Sequence, residues 1–368
     1  MKAHVVGSLL RPGRLLDLAA RYRKGEISVA EFKRMEDAAV DQAIEVQERA
    51  GIDLITDGEQ RRLAFGDVFG QSVSGMEAVG PETVKEGGLW HGVKKDAPAV
   101  EVSSPTGGRI VAKLQRRESK ASEEFAYARA RAHRPVKVTL PSPTMLISAW
   151  SPEHSTKAYR SLEAALDDGV EILKQEVHAL RQLGCEHIQF DAPEATFAIE
   201  SESSFVLRWL GYGREDFCEL IVRRLNEVAV EPGMEFSVHF CRGNARGHWH
   251  SAGGYGAISK LIFPRLTRFK YVLMEYDSER AGTFEPLRDL PRECVAVLGL
   301  VTTKNGVLEQ RDALRARIDE AARFFPREQL ALSPQCGFAS DAGGNPITFE
   351  QQSAKLRLVA EVAHDLLR

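Results

Sequence analysis

Met234-Glu235-Phe236-Ser237-Val238-His239-Phe240-Cys241 is an apolar, strand-like run that closes on two side chains able to ligate a metal. In an extended strand, residues two apart point to the same face, so His239 and Cys241 are aimed at one place. Two later runs end in the same manner. Tyr271-Val272-Leu273-Met274 leads into Glu275, and Leu330-Ala331-Leu332-Ser333-Pro334-Gln335 leads into Cys336.

Outward from this stretch, apolar β-branched runs alternate with longer segments of helical period, the pattern of βαβ units and a parallel sheet. The runs predict eight strands, at 3–7, 53–57, 136–140, 187–191, 235–241, 271–275, 295–301 and 330–333. Helices are predicted over 28–50, 156–183, 214–229, 309–325 and 348–367, the first opened by Ser28 with Glu31 three residues on, a capping-box pattern. Eight strands, each followed by a helix or loop, give the count of a (β/α)8 barrel, and 368 residues suit one such domain spanning 1–368. Residues 66 to about 132 break the alternation. Within them Gly107-Gly108-Arg109-Ile110-Val111-Ala112-Lys113-Leu114 reads as a hairpin arm, so the segment is expected to be an insertion after the second strand. Gly253-Gly254-Tyr255-Gly256 lacks the strand and spacing of a phosphate-binding fingerprint and reads as a loop.

Composition narrows the function. With 43% hydrophobic and 27% charged residues and a net charge of −3, the chain has no basic field to recruit nucleic acid or anionic lipid. Its apolar runs are strand-sized, far short of the roughly 20 residues of a membrane span, and the first residues lack the apolar core of a signal peptide. A cytoplasmic protein is expected. Five cysteines, an odd number in a chain this long, argue for reduced thiols rather than a disulfide framework.

In a barrel, reactive residues gather where strands end, because the following loops share one face. Gly7-Ser8, Asp57-Gly58-Glu59, Pro141-Ser142-Pro143, Asp191, His239, Cys241, Glu275, Thr302-Thr303-Lys304 and Cys336 all fall at or just past a predicted strand end. His239, Cys241, Glu275 and Cys336 make a full tetrahedral zinc set of mixed donors, the kind found at reactive rather than purely structural sites. A buried His and a buried Cys would be the ordinary reading of His-x-Cys alone. Glu275 tips the balance, because a Glu at the end of an apolar strand needs a partner. As the hard ligand on a borderline-soft ion it is the one an incoming sulfur would displace. A metal-bound thiol loses its proton, so the set suggests alkyl transfer to sulfur. Cys185 and Cys294 precede strands and Cys218 falls in a helix, so none of the three is given a site role.

These residues, in this order, resemble the cobalamin-independent methionine synthases: their catalytic C-terminal barrel, and the shorter homologues made of that barrel alone. The resemblance runs through Val6-Gly7-Ser8, Gly51-Ile52-Asp53-Leu54-Ile55-Thr56-Asp57-Gly58-Glu59, Pro143-Thr144-Met145-Leu146, Ile188-Gln189-Phe190-Asp191, His239-Phe240-Cys241, Glu275 and Ser333-Pro334-Gln335-Cys336-Gly337. It implies an α/β fold, a (β/α)8 TIM barrel of the methionine synthase and uroporphyrinogen decarboxylase type. It also implies zinc on His239, Cys241, Glu275 and Cys336, and a small-molecule thiol, homocysteine in the best-known members, methylated to methionine. By the same resemblance Glu59 and Asp191 would hold the substrate ammonium, as two rim carboxylates suit a cation; Glu59, followed by Arg61 and Arg62, has a surface ion pair as its bland alternative. Backbone at Gly7 and Ser8 would meet the substrate carboxylate.

Three departures all bear on the methyl donor. The N-terminal half that helps long members bind polyglutamylated folate has no counterpart here. Lys304 aligns with the His thought to protonate the leaving amine, and Ser148 aligns with a Trp, although Trp150 is near. Lys304 is therefore one candidate acid; His248, with His250, is another, in the loop Arg242-Gly243-Asn244-Ala245-Arg246-Gly247-His248-Trp249-His250, which otherwise reads as solvated. Arg280 and the Glu285-Pro286-Leu287-Arg288 stretch could bind an anionic substrate group, but an Arg on a loop ordinarily reads as surface. Methylfolate, a corrinoid protein or another molecule remain open as donor. Relatives that alkylate coenzyme M, with an epoxide or methylcobamide, and a barrel with a purely structural zinc are the alternatives; Glu59 and Asp191 favour an amino-acid thiol over a sulfonate.

Overall fold

A computed structural model describes residues 2–80, 82–84, 99–103, 108–199 and 205–367. Strands in chain order are β1 (Val73–Ala78), β2 (Glu82–Val84), β3 (Val100–Val102), β4 (Gly108–Arg116), β5 (Lys137–Pro141), β6 (His187–Asp191), β7 (Glu235–Phe240), β8 (Phe269–Glu275), β9 (Val295–Val301) and β10 (Leu330–Pro334). The last six form one parallel sheet in the order β10-β9-β8-β7-β6-β5, with in-register neighbours such as Pro141 and Asp191, Asp191 and His239, and Glu275 and Gly299. The strands expected at 3–7 and 53–57 appear as single parallel bridges, Ala3 to Leu332, His4 to Leu54 and Ile55 to Val136. Backbone hydrogen bonds reinforce them, including Leu332 N to Lys2 O (2.8 Å), Asp53 N to Ala3 O (3.0 Å) and Lys137 N to Ile55 O (2.8 Å).

Strand alternation sorts the buried apolar residues into two clusters. Val272 and Met274, Ala296 and Leu298, and Leu330 and Leu332 join the main core, together with helix residues such as Val170, Leu173 and Ile221. The residues between them, Tyr271, Leu273, Val297 and Ala331, join Val6 in a small second cluster on the opposite face. A sheet buried on both faces reads as near-continuous apolar sequence, as these strands do. That second face also carries polar groups: Lys137 Nζ donates to Val5 O (2.7 Å) and Gln189 Oε1 (2.6 Å).

Helices Val29–Ala50, Leu162–Gln182, Arg214–Val228, Arg311–Ala321 and Phe349–Leu366 lie within the predicted spans. The second starts at Leu162, not at 156, because Ser161 caps it by accepting from Ala164 N. Ser28 caps its helix by accepting from Glu31 N, while the fully reciprocal capping box is at Thr348 and Gln351. The arm read at 107–114 corresponds to β4, which pairs antiparallel with β1 from Val73 opposite Arg116 to Ala78 opposite Gly108; Gly107 and much of 81–107 lie outside the described residues. Among the described residues, no helix is long and apolar enough to cross a membrane.

Candidate functional site: a metal-ligand cluster beside an apolar cavity

The ends of β7, β8 and β10 converge. His239 is the penultimate residue of β7, Cys241 follows that strand, Glu275 ends β8, and Cys336 lies two residues past β10. One ligand atom from each falls within 4.8 Å of the other three, with all but the half-buried Cys241 fully buried. Gly299 on β9 makes the convergence feasible. A Cβ there would stand 2.7 Å from Gln335 Cα and 2.8 Å from Met274 O, so a side chain would push the Cys336 loop off the sheet.

The sulfurs of Cys241 and Cys336 are 3.6 Å apart. That is far beyond a disulfide bond of about 2.05 Å and near the roughly 3.8 Å between two ligands on a tetrahedral ion with metal–sulfur bonds of about 2.3 Å. The four groups also shift one another's proton affinities. Donation from the Cys241 thiol holds Cys336 well below the ordinary cysteine range, helped by His239, and the same bond holds Cys241 well above it. Burial works against a charged His239, yet Cys336, Asp191 and Glu275 raise its pKa; Glu275 is raised by burial and then by Cys336. Two thiols, an imidazole and a carboxylate in this proximity fit a thiophilic divalent ion.

Neighbours to which the sequence reading assigned no such role hold the cluster. Arg242 N donates to Glu275 Oε1 (2.9 Å), and Arg280 Nη2 stands 3.6 Å from Oε2. Arg280, read as a surface residue, has a side chain only 12% exposed and lies over the Trp249 ring at 5.0 Å; Arg288 is the exposed one. Tyr255 Oη accepts from Glu275 N (2.9 Å) and donates to Phe240 O (3.0 Å), tying β7 to β8. Asn244 Nδ2 donates to Gly337 O (2.7 Å), tying the loop after β7 to the one after β10.

His239, Cys241 and Cys336 open onto a cavity of about 350 Å³, which Gly7, Ser8, Glu59 and Asp191 also line. Glu59 is no surface ion pair. It is 1% exposed, accepts from Thr139 Oγ1 (2.8 Å), and lies 4.0 Å from Arg62, which instead pairs closely with Glu124 (2.7 Å). Its φ of 54° is left-handed, a strained state for a residue with a side chain, held by Arg11 Nη2 donating to Glu59 O (2.8 Å) and by Asp57 Oδ1 accepting from Glu59 N (2.9 Å). Gly7 leaves it room: a Cβ at position 7 would sit 2.3 Å from Glu59 Oε1. Asp191 accepts from Gln189 Nε2 (2.7 Å), and burial pushes its carboxyl up to about 7 against the pull of His239.

A family model described as cobalamin-independent synthase, catalytic domain, matches residues 1–364. YxjH of Bacillus subtilis, described as uncharacterized, is 34% identical over 372 residues, covering 100% of this chain and 95% of that protein. The chain belongs to the cobalamin-independent synthase family. A methionine synthase of Saccharolobus solfataricus is 23% identical over 337 residues, 90% of this chain and 86% of the relative. A solved structure from Listeria monocytogenes, provisionally named a vitamin-B12 independent methionine synthase, matches with a TM-score of 0.73 at 26% identity, covering 99% and 97% of the two chains.

For a family defined as cobalamin-independent, the corrinoid-protein donor entertained from the sequence has no support. Of the expected acids, Lys304 and His248 do not line the cavity. Lys304 Nζ donates to Gly243 O and Asn244 Oδ1, both at 3.1 Å, and works as a clamp on the loop after β7. His248 is half-buried and bridges Ala245 in a tight turn, whereas His250 does line the cavity, its Nδ1 3.0 Å from Ser251 Oγ. Ser148 lines it as well, while Trp150 packs against the main core. The remaining walls, Phe65, Met145, Ile147, Glu194, Phe197 and Trp209 among them, come from loops and short helices with no common sequence pattern.

Proposed function

We propose that the chain is a zinc-dependent methyltransferase acting on a small thiol, with homocysteine as acceptor and methionine as product. The observation that carries it is the placement of a His-Cys-Glu-Cys cluster and two buried carboxylates, Glu59 and Asp191, on one cavity. The name of the Saccharolobus relative points the same way. Zinc, when bound by His239, Cys241, Glu275 and Cys336, would supply acidity that turns an incoming thiol into a thiolate at neutral pH. The chain's own residues do the rest. Glu59 and Asp191 take the substrate ammonium, backbone at Gly7 and Ser8 meets its carboxylate, and the acceptor sulfur is thereby oriented at the cysteine pair. Glu275 would be the oxygen donor of the set beside two sulfurs, and Arg242 N and Arg280 keep its carboxylate partnered.

The same reading extends to architecture and setting. The bridges through 3–4 and 54–55 link β10 to β5 and support an eight-membered, closed (β/α)8 barrel in a single domain, with 66–132 as an insertion after its second strand. A cytoplasmic location suits such an enzyme. A purely structural zinc would not need Cys241 and His239 to face a cavity lined by carboxylates, and a sulfonate thiol such as coenzyme M would want cations where Glu59 and Asp191 stand. The test is incubation of zinc-loaded protein with homocysteine and candidate donors. Methionine is expected; turnover of another thiol with none of homocysteine would overturn the assignment.

A further inference from the structure

The proposed function uses His239, Cys241, Cys336, Glu59 and Asp191 and leaves the buried acid Glu194 of the same cavity unemployed. Glu194 follows β6 in the short 3-10 helix Pro193–Ala198, lines the cavity and is only 3% exposed. Its Oε1 accepts from the hydroxyls of Ser142 and Thr144, while Oε2 is buried with no hydrogen-bond partner among the described residues. A buried carboxylate oxygen left unpaired costs free energy that a cationic ligand would recover.

What surrounds Glu194 specifies the cation further. Phe65, Phe197 and Trp209 line the same cavity, with Met145 and Ile147. Among the described residues none of the lining is Lys or Arg, whereas Glu59, Asp191, Glu194 and Asp341 are acids, of which Asp341 is met by Arg246 (3.3 Å). Aromatic faces attract a cation that offers no N–H, which is how methylated ammonium groups are recognised. An anionic, polyglutamylated donor would find no positive side chain among the described residues of this lining.

The leaving group gives an independent reason. A donor that loses its methyl from a neutral amine needs a proton as the bond breaks. Lys304 stands outside the lining with its ammonium committed to Gly243 O and Asn244 Oδ1, and His250 is packed, its ring 5.1 Å from that of Phe197 and Nδ1 against Ser251 Oγ. A donor that is already a cation departs neutral and needs no acid.

We propose that the methyl donor is a small methylated onium ion, a methylsulfonium or a quaternary ammonium, received by Glu194 and the aromatic lining of the cavity. This rests on the reading of the chain as a thiol methyltransferase. The acceptor sulfur forms a bond to the methyl carbon, the bond from that carbon to the onium sulfur or nitrogen breaks with its electron pair kept by the leaving atom, and the acceptor's thiol proton goes to solvent. The products are a methyl thioether and a neutral sulfide or tertiary amine.

Binding is tested first, by calorimetry of the zinc-loaded protein with tetramethylammonium chloride, which has the charge and methyl surface of the donor. Saturable binding, weakened about tenfold in Glu194→Gln and less in Glu194→Asp, is expected; binding that ignores Glu194→Gln overturns the proposal. If that variant melts well below the parent, Phe197→Leu replaces it, with weakening again the expected result. Turnover is then read by mass spectrometry with methyl-labelled S-methylmethionine, glycine betaine and methyltetrahydrofolate. Labelled methionine from either onium supports the proposal, and the two onium arms separate sulfonium from ammonium; label from the folate alone, or from none of the three, overturns it. Homocysteine binding is measured separately by calorimetry: failure there strikes the thiol-methyltransferase reading, whereas homocysteine binding without onium turnover strikes the donor proposal alone.

Discussion

The metal-ligand cluster and the loop-borne walls of the cavity are built by different means. His239, Cys241, Glu275 and Cys336 ride at the ends of a hydrogen-bonded parallel ladder, where the two-residue period of a strand sets which way each side chain points. Phe65, Met145, Phe197 and Trp209 are delivered by a loop, two 3-10 helices and a short helix, whose sequences carry no period that announces a shared target. The strand-borne part is thus suited to fix one chemistry, and the loop-borne part to choose what that chemistry is done to.

The contrast breaks most sharply at the cluster. Cys336→Ser should lose zinc, from about one ion per chain toward none by metal analysis, and lose methyl transfer by about 1,000-fold or more. The melting transition should change little, because a metal that serves reaction rather than folding is not what holds the sheet; unfolding of the variant would favour a structural ion instead. Asp191→Asn comes next. It should keep its zinc but drop kcat/KM for homocysteine about 100-fold, the scale of one hydrogen bond to a charged group, with the loss mostly in KM.

Smaller effects probe what lies beneath the strand ends. Lys137 Nζ donates to Gln189 Oε1, and Gln189 Nε2 donates to Asp191 Oδ1, so a cation inside the sheet's second face orients the amide that steadies Asp191. Burial, opposed by Asp191 and Glu59, pushes the Lys137 ammonium down to about 7. Lys137→Met should raise the homocysteine KM about tenfold, in line with one broken buried hydrogen bond, and leave zinc content unchanged. The loop-borne part should register in stability as well as in donor binding. Burial pushes Glu194 up to about 7, opposed by the Ser142 and Thr144 hydroxyls, whereas the unfolded chain titrates near 4.3. The folded state therefore binds this proton more tightly, and the stability it confers is present below about pH 4 and is lost as pH rises through about 7. Glu194→Gln should flatten the fall in Tm across that interval in calorimetry; an unchanged slope would mean that Glu194 is not the group titrating.

How much of this was legible follows from the same contrast. The runs at 187–191 and 295–301 match β6 and β9 residue for residue, because strands buried on both faces leave an unbroken apolar signature. The candidate ligand residues are readable as strand-end polar groups, and Glu59 as a rim carboxylate, though not its burial or its left-handed backbone. Segments 3–7 and 53–57 carry the same apolar signature yet pair through single bridges, since sequence pattern reports burial and not ladder length. Arg280 was read as surface because nothing local to an arginine on a loop reports that a buried Glu275 lies 3.6 Å away; that pairing is made by the fold. Lys304 was placed at the right strand end, but its commitment to Gly243 and Asn244 depends on how the loop after β7 returns across the sheet.

Zinc X-ray absorption with and without homocysteine tests the central claim most directly. A shell of two sulfurs with nitrogen and oxygen should become a shell of three sulfurs as homocysteine is added, with Glu275 as the ligand that gives way. A sulfur count that stays at two in the presence of bound homocysteine, or a protein that takes up no zinc, would contradict it.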